Sequence, residues 1–184
     1  MPLGGCGEIG MNLNLFGHDG RWLMVDCGVT FEETLQGNEV QMPDPHFISE
    51  RAESLVGIVA THAHMDHIGA LPYLADQFGC PIYTTPFTAA VLAPKLREAS
   101  SKAVVNIVHP GQSLALGPFQ LTWLPITHST PETNGLFIET AAGNIVHTAD
   151  WKIDPTPLVG QGFDRPLWQS LASKGVDAVV CDST

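Results

Sequence analysis

The sequence predicts an α/β fold in a single domain, on three observations. Short apolar runs that read as strands come first, and strands mixed with helical periodicities follow. The polar clusters at 26, 62 to 67, 127 to 129, 150 and 182 each stand at the carboxyl end of an apolar run, as an α/β scaffold presents a site along one edge of its sheets. The chain has 184 residues, 44% of them hydrophobic, enough for one core-bearing domain and hardly for two, and no Gly- or Pro-rich run marks an internal boundary.

Taken in order, residues 13 to 28, LNLFGHDGRWLMVDCG, read as a strand, a His18-Asp19-Gly20 turn and a second strand whose far end delivers Asp26. Residues 29 to 54 are polar and interrupted by proline, which predicts a surface excursion. LVGIVAT, 55 to 61, is a buried-type strand that runs straight into THAHMDHIGA, 61 to 70. Leu71, Leu74, Ala75 and Phe78 then recur at helical spacing, with Pro72 in the first turn and Gly79 as the stop. A short strand over 81 to 84 follows, then a helix over about 87 to 99 that Pro94 starts or breaks, and strands near 104 to 108, 114 to 116 and 119 to 125. A second hairpin, GLFIET-AAGN-IVHTAD, carries Asp150 at its end, and VDAVVCDST reads as a buried strand that stops at Asp182.

The formal charge of −11, with only eight Lys and Arg, argues against general electrostatic attraction to nucleic acid, because phosphate neutralisation needs cations on the protein. Some of the acids are accounted for if they face bound cations. No apolar run reaches the roughly 18 residues a membrane span needs, and Met1-Pro2-Leu3 opens without a basic n-region and apolar h-region, so a soluble, unexported, cytoplasmic protein without membrane contact is expected. Cys6, Cys27, Cys80 and Cys181 form no CxxC pair and read as reduced, mostly buried thiols.

THAHMDHIGA gathers His62, His64, Asp66 and His67 within six positions. On extended backbone, residues two apart point to the same side, so His62 and His64 can close on one ion. Asp66 and His67 lie past the bend into the helix and diverge toward a second ion, so the spacing suits two metals a few ångströms apart. A lone histidine would read as structural; four ligand-type side chains on one strand-to-helix bend read as metal ligands. Imidazole and carboxylate without thiolate favour zinc over manganese or iron. Two ions need further ligands, and His128 in PITHSTPE and Asp150 in HTADWKIDPTP are the candidates; a carboxylate such as Asp150 has two oxygens and can bridge. His128 alone reads equally as a ligand or a loop residue. Asp26 and Asp182 could each orient a ligand histidine, or equally serve as a helix cap or turn former.

HAHMDH, with Asp26 upstream and His128 and Asp150 downstream, resembles the metallo-β-lactamase superfamily. PLGGCGEIGMNLN, THAHMDHIGALPYL, THSTPE, HTADWKIDPTP and the terminal CDST together resemble its ribonuclease J-like β-CASP branch across nearly the whole chain. The resemblance implies an αββα sandwich in which His62, His64 and His128 hold one zinc, Asp66 and His67 hold the other, and Asp150 bridges. It implies that Asp26 supports a ligand from behind and that Asp66 is catalytic as well as ligating. It further implies that Asp182 is the acid whose partner histidine assists leaving-group protonation, and that Ser129 touches the scissile phosphate. RNA, cut internally or trimmed from a 5′ end, is the implied substrate, and a homo-oligomer the implied assembly of the intact protein.

Members of that branch run several hundred residues, with a β-CASP domain inserted after the CDST stretch. Residues 1–184 are therefore expected to be the N-terminal portion of a metallo-β-lactamase domain, ending where that insertion begins. On this reading the histidine that completes the second zinc site, the partner of Asp182 and the basic surface that grips RNA lie outside the chain. The second ion would then be weakly held, ribonuclease activity slight, and some apolar strand edges uncovered.

Two other readings stay open on the residues alone: a stand-alone hydrolase of thioesters, lactones or lactams using the same metals, and a non-catalytic remnant. The THSTPE context favours the nuclease branch over the first, and tight metal uptake sensitive to His62→Ala separates the second. His18, His46, His109 and His147 read as structural, Trp123, Trp151 and Trp168 as packing residues, and Lys152 as the one basic residue near the presumed site.

Overall fold

The computed structural model describes residues 1–34 and 37–183, without the side chains of 33, 34 and 38; Leu35, Gln36 and Thr184, the last of the CDST stretch, lie outside the described residues. The strands are β1 (Pro2–Gly4), β2 (Leu13–His18), β3 (Arg21–Val25), β4 (Thr30–Thr34), β5 (Gly37–Gln41), β6 (Leu55–Val59), β7 (Ile82–Thr84), β8 (Val105–Ile107), β9 (Ser113–Leu116), β10 (Phe119–Pro125), β11 (Asn134–Thr140), β12 (Gly143–His147) and β13 (Ala178–Val180). The helices are α1 (His46–Ser49), α2 (Met65–Ile68), α3 (Leu71–Phe78), α4 (Pro86–Glu98) and α5 (Arg165–Ala172).

The strands build a six-stranded sheet, β1-β2-β3-β6-β7-β8, and a five-stranded sheet, β13-β12-β11-β10-β9. In the first, β1, β2 and β3 pair antiparallel, then β3, β6, β7 and β8 run parallel. Parallel neighbours need crossovers, and the helical segments between β6, β7 and β8 supply them. In the second sheet only the β12/β13 pair is parallel.

Period-2 alternation divides the apolar residues into three layers. Leu23, Val25 and Val59 of the first sheet meet Leu121, Trp123 and Leu136 of the second, which closes the two sheets face to face. The opposite side chains of the same strands, Met24 and Ile58, pack with Leu71, Phe78 and Leu92 of α3 and α4. On the far side, Leu124, Phe137 and Val146 pack under Leu167, Trp168 and Leu171 of α5. Helices therefore cover both outer faces, and the molecule is an αββα sandwich.

Four sequence expectations need correction. Residues 29 to 54 are more than an irregular excursion: β4 and β5 form an antiparallel hairpin, Thr30 opposite Gln41, paired with neither main sheet. Pro94 neither starts nor breaks α4, which begins at Pro86 and runs through it. Pro94 and Ala90 are both exposed, so the carbonyl that loses its helical partner faces water. VDAVVCDST does not form a buried strand: β13 lies at the sheet edge, with Val179 60% exposed. Helix α5 was not anticipated, although Asp164 caps it by accepting from the Leu167 N–H at 3.0 Å with proline in the first turn, a legible start signal.

Candidate metal centre

Every cluster of site residues leaves the carboxyl end of a strand: Asp26 after β3, His62 to His67 after β6, Thr127 to Ser129 after β10, Asp150 after β12 and Asp182 after β13. The loop after β3 holds α2 in place. Cys27 N–H donates to the His67 carbonyl at 2.8 Å, Val29 N–H to Met65 at 3.0 Å, and Ala70 N–H returns to Cys27 at 3.0 Å. Gly28 lies between these bonds, so close to α2 that a Cβ built there would stand 1.6 Å from the Asp66 carbonyl oxygen. Glycine is required here by close approach. Across the site, Glu132 ties the THSTPE loop to α4 by accepting from the Phe87 N–H at 2.8 Å. Thr127 accepts from Lys152 and Asp154 backbone N–H groups, at its carbonyl and hydroxyl respectively, and so joins this loop to the Asp150 loop.

Two donor sets result, and Asp150 belongs to both. In the first, His64 Nδ1 lies 3.1 Å from His62 Nε2 and 3.2 Å from His128 Nε2. Asp150 Oδ2 stands 3.9 Å from His62 Nε2 and 3.6 Å from His128 Nε2. In the second, His67 Nε2 lies 3.4 Å from Asp66 Oδ2 and 3.2 Å from Asp150 Oδ1. The two oxygens of one carboxylate thus face different sets.

Beneath the sets, Asp26 fixes which ring nitrogens carry hydrogen. Asp26 is 1% exposed, and its Oδ2 lies 2.8 Å from His67 Nδ1. A carboxylate only accepts, so Nδ1 donates, and in the neutral ring Nε2 is left as a lone pair facing Asp66 and Asp150. Thr61 extends the arrangement to the first set: its N–H donates to Asp26 Oδ1 at 2.8 Å and its hydroxyl to Oδ2 at 2.9 Å. With that one hydrogen committed, Thr61 Oγ1 can only accept from His62 Nδ1 at 3.0 Å, which frees His62 Nε2 toward His64 and His128. We expect Asp26→Asn, which leaves one acceptor where two are used, to weaken metal uptake about 10- to 100-fold, measured by calorimetric titration with Zn²⁺.

Electrostatics separate the two sets. Burial, together with the neighbouring His67, His64 and His128, holds His62 well below the ordinary histidine range, and burial chiefly lowers His128. Both are neutral and ready to ligate at physiological pH. Burial opposes charge on His67 too, but Asp26, Asp150 and Asp66 outweigh it and hold this ring well above its ordinary value. For Asp66, burial opposes ionisation, yet the hydrogen bond and charge of His67 win and keep the carboxyl below its usual range. Without an ion, then, His67 stabilises the fold as a cation in acid, and that contribution is lost as pH rises through its raised pKa. To ligate, His67 must surrender its Nε2 proton. Uptake at the second set should therefore tighten by up to about tenfold per pH unit below that pKa and level off above it, whereas His62 and His128, held below the ordinary histidine range, add no such slope at physiological pH. Calorimetric titrations across pH in buffers of different ionisation heat test this.

The remaining candidates lie around these sets. Ser129 Oγ is 3.3 Å from His64 Nε2, on the ring edge away from the first donor set. Asp182 lines a cavity of about 580 Å³ together with Asp26, Asp66, His67 and Asp150, and its backbone N–H donates to Thr148 Oγ1 at 3.1 Å. Its charge acts on His128, favouring the protonated ring. His147 is buried at the end of β12 with Nδ1 accepting from the Ala149 N–H at 3.1 Å, and it also lines this cavity. Lys152 pairs with Asp154 at 3.8 Å.

Trp123 is fully buried and Trp168 donates to the Pro125 carbonyl at 3.2 Å, but Trp151, expected to pack, is 40% exposed beside Asp150. The thiols also depart from expectation: Cys27 is buried and Cys80 half-buried, whereas Cys6 and Cys181 are exposed. Burial and the adjacent Asp26 push the Cys27 thiol up to about 12, so it stays protonated beside the donor sets. Sequence reasoning missed Thr61, Gly28 and Asn12 as site residues. A polar Thr-His step at a strand end signals the first, and only the three-dimensional approach of α2 to the loop after β3 and to the residue before β2 reveals the others.

Against known proteins, the family model of the metallo-beta-lactamase superfamily matches residues 11–179. Ribonuclease J of Sinorhizobium meliloti is 43% identical over an alignment covering 100% of this chain and 34% of that protein. Ribonuclease J of Mycobacterium tuberculosis is 39% identical over 99% of this chain and 33% of that protein. The chain thus spans about a third of the length of the curated relatives it matches. Among solved structures, the metallo-beta-lactamase fold protein YhfI from Bacillus subtilis superposes with a TM-score of 0.57 at 26% identity, covering 82% of this chain and 58% of that one. Zn²⁺-bound PqqB from Methylobacterium extorquens superposes with a TM-score of 0.60 over 91% of this chain and 58% of that one, and at 14% identity the likeness is one of fold alone.

Proposed function

The chain belongs to the metallo-beta-lactamase superfamily, and from that premise we propose that it carries the two-metal centre of a ribonuclease J-type hydrolase of RNA phosphodiesters. The observation that carries this reading is the position of Asp150, whose two carboxylate oxygens face two separate donor sets.

The residues fit divalent cations. Three histidine nitrogens converge to 3.1 and 3.2 Å, and for His62 the hydrogen-bond chain from Asp26 leaves the converging atom a lone pair. Three imidazole nitrogens and a carboxylate oxygen converging in this way form a donor set for a cation. Imidazole and carboxylate donors without thiolate suit Zn²⁺ first and Mn²⁺ second. His62, His64, His128 and Asp150 would hold one ion; Asp66, His67 and Asp150 would hold the other. When bound, such a pair supplies Lewis acidity at a phosphoryl group and lowers the pKa of water.

The protein's own groups do the rest. Asp26 holds His67 directly and His62 through Thr61, so both sets are oriented from one buried carboxylate. Asp66, ionised and 36% exposed, is the acceptor best placed to take a proton from an attacking group, and is assigned a catalytic as well as a ligating role. Ser129 is assigned to the substrate phosphate beside His64, and Asp182, on the cavity wall, to pairing with a histidine outside these 184 residues that assists leaving-group protonation. With only eight Lys and Arg against 19 Asp and Glu, these 184 residues are expected to grip RNA weakly and to cleave it slowly by themselves.

The test is hydrolysis by the metal-loaded chain of bis(p-nitrophenyl) phosphate and of short oligoribonucleotides carrying a 5′ monophosphate or triphosphate, beside a thioester and a β-lactam. Phosphodiester cleavage, abolished by chelation and by His62→Ala, is the expected result, and the products distinguish internal cuts from 5′ trimming. Turnover of the thioester or lactam with none of either phosphodiester would overturn the assignment.

A further inference from the structure

Asn12 belongs to neither donor set, yet its side chain reaches the second. Nδ2 lies 3.1 Å from the Asp66 carbonyl oxygen, 3.4 Å from Asp66 Oδ2 and 3.2 Å from His67 Nε2. The amide orientation follows from its partners: a carbonyl oxygen carries no hydrogen, so the nitrogen must face it. Oδ1 points the other way, toward Gly5, where an added Cβ would meet it at 2.3 Å. The backbone holds the residue equally firmly, since Asn12 N–H also donates to the Asp66 carbonyl at 3.0 Å and the Asn12 carbonyl accepts from Gly28 at 3.0 Å. One residue thus grips the Asp66 turn through both main chain and side chain, on the side of the second donor set.

On the reading that the site holds two ions, we propose that Asn12 is a positioning residue for the second ion alone. One amide hydrogen fixes the carbonyl of the turn that presents Asp66 and His67. The other lies toward Asp66 Oδ2 at 3.4 Å, one of the atoms that would ligate, beside His67 Nε2 at 3.2 Å, and so keeps that carboxylate aimed at the second set. A carboxylate oxygen in place of Nδ2 would face the Asp66 carbonyl and Oδ2 with no hydrogen to give, acceptor against acceptor.

The test is titration of the metal-free full chain with Zn²⁺ by calorimetry, with uptake confirmed by elemental analysis, for the natural protein, Asn12→Ala and Asn12→Asp. Asn12→Ala should weaken the second binding step about 10- to 100-fold and leave the first within about twofold, which also reports that the variant is folded. Asn12→Asp, which also has no hydrogen to donate there, should weaken the second step at least as far while sparing the first, a selectivity that loss of a merely structural residue would not produce. Equal weakening of both steps in both variants, or an unchanged second step, would overturn the assignment. Natural protein that binds no Zn²⁺ would overturn the two-ion reading itself and the assignment with it.

Discussion

Asp150→Ala is expected to weaken uptake at both metal positions together, by about 100-fold or more at each, because a ligand replaced outright costs at least as much as the loss of a residue behind one. Other ligand changes should be selective. His128→Ala removes a donor only from the first set and Asp66→Ala only from the second, since neither side chain is shared. Asp154→Ala is the control, as its carboxylate pairs with Lys152 at 3.8 Å. Titration with Zn²⁺ and a metal count after desalting would show two weakened steps for Asp150→Ala, one for each neighbour, and none for Asp154→Ala. One weakened step for Asp150→Ala would mean that it serves a single ion.

Gly28→Ala should be the most damaging single methyl group in the molecule. The added carbon would stand 1.6 Å from Asp66 O, 1.9 Å from Asp66 C and 2.6 Å from His67 N, all backbone atoms that no rotamer change can move. Relief requires β3 and α2 to part, which breaks the Cys27, Val29 and Ala70 hydrogen bonds and uncouples Asp26 from His67. A loss of about 3 kcal/mol or more is expected, a fall of roughly 6 to 12 °C in Tm for a domain of this size, with second-set uptake lost in whatever remains folded. Gly20→Ala provides the comparison: its φ of +68° strains an L-residue, but the space around it is open, so about 1 to 2 kcal/mol is expected.

These two substitutions also mark what could be read before the fold was known. The candidate ligands were legible because each ends an apolar run: IVAT stops at His62, LTWLPIT at His128 and IVHTA at Asp150, and a strand that stops at a polar side chain delivers it to the sheet edge. The covering of both sheet faces was implied by the resemblance, and the structure shows its basis in alternation along β3 and β11, with Met24 and Phe137 facing away from their neighbours. Asn12 and Gly28 were not legible. Their importance comes from contacts with α2, more than 35 residues along the chain, and no local periodicity reports such an approach. The exposure of β13 was misread for a related reason: an apolar run such as VDAVV looks the same at an edge as in the middle of a sheet. Trp151 next to Asp150 shows the limit of reading a side chain by type, since an aromatic residue in a site loop need not pack inward.

The most direct measurement is electron paramagnetic resonance of the metal-free chain titrated with Mn²⁺. If Asp150 joins two donor sets through its two oxygens, two ions bind per chain and the second addition replaces the isolated Mn²⁺ signal with that of an exchange-coupled pair, which Asp150→Ala abolishes. A spectrum that stays that of isolated ions at saturation, or saturation at a single ion per chain, would contradict a shared two-metal centre.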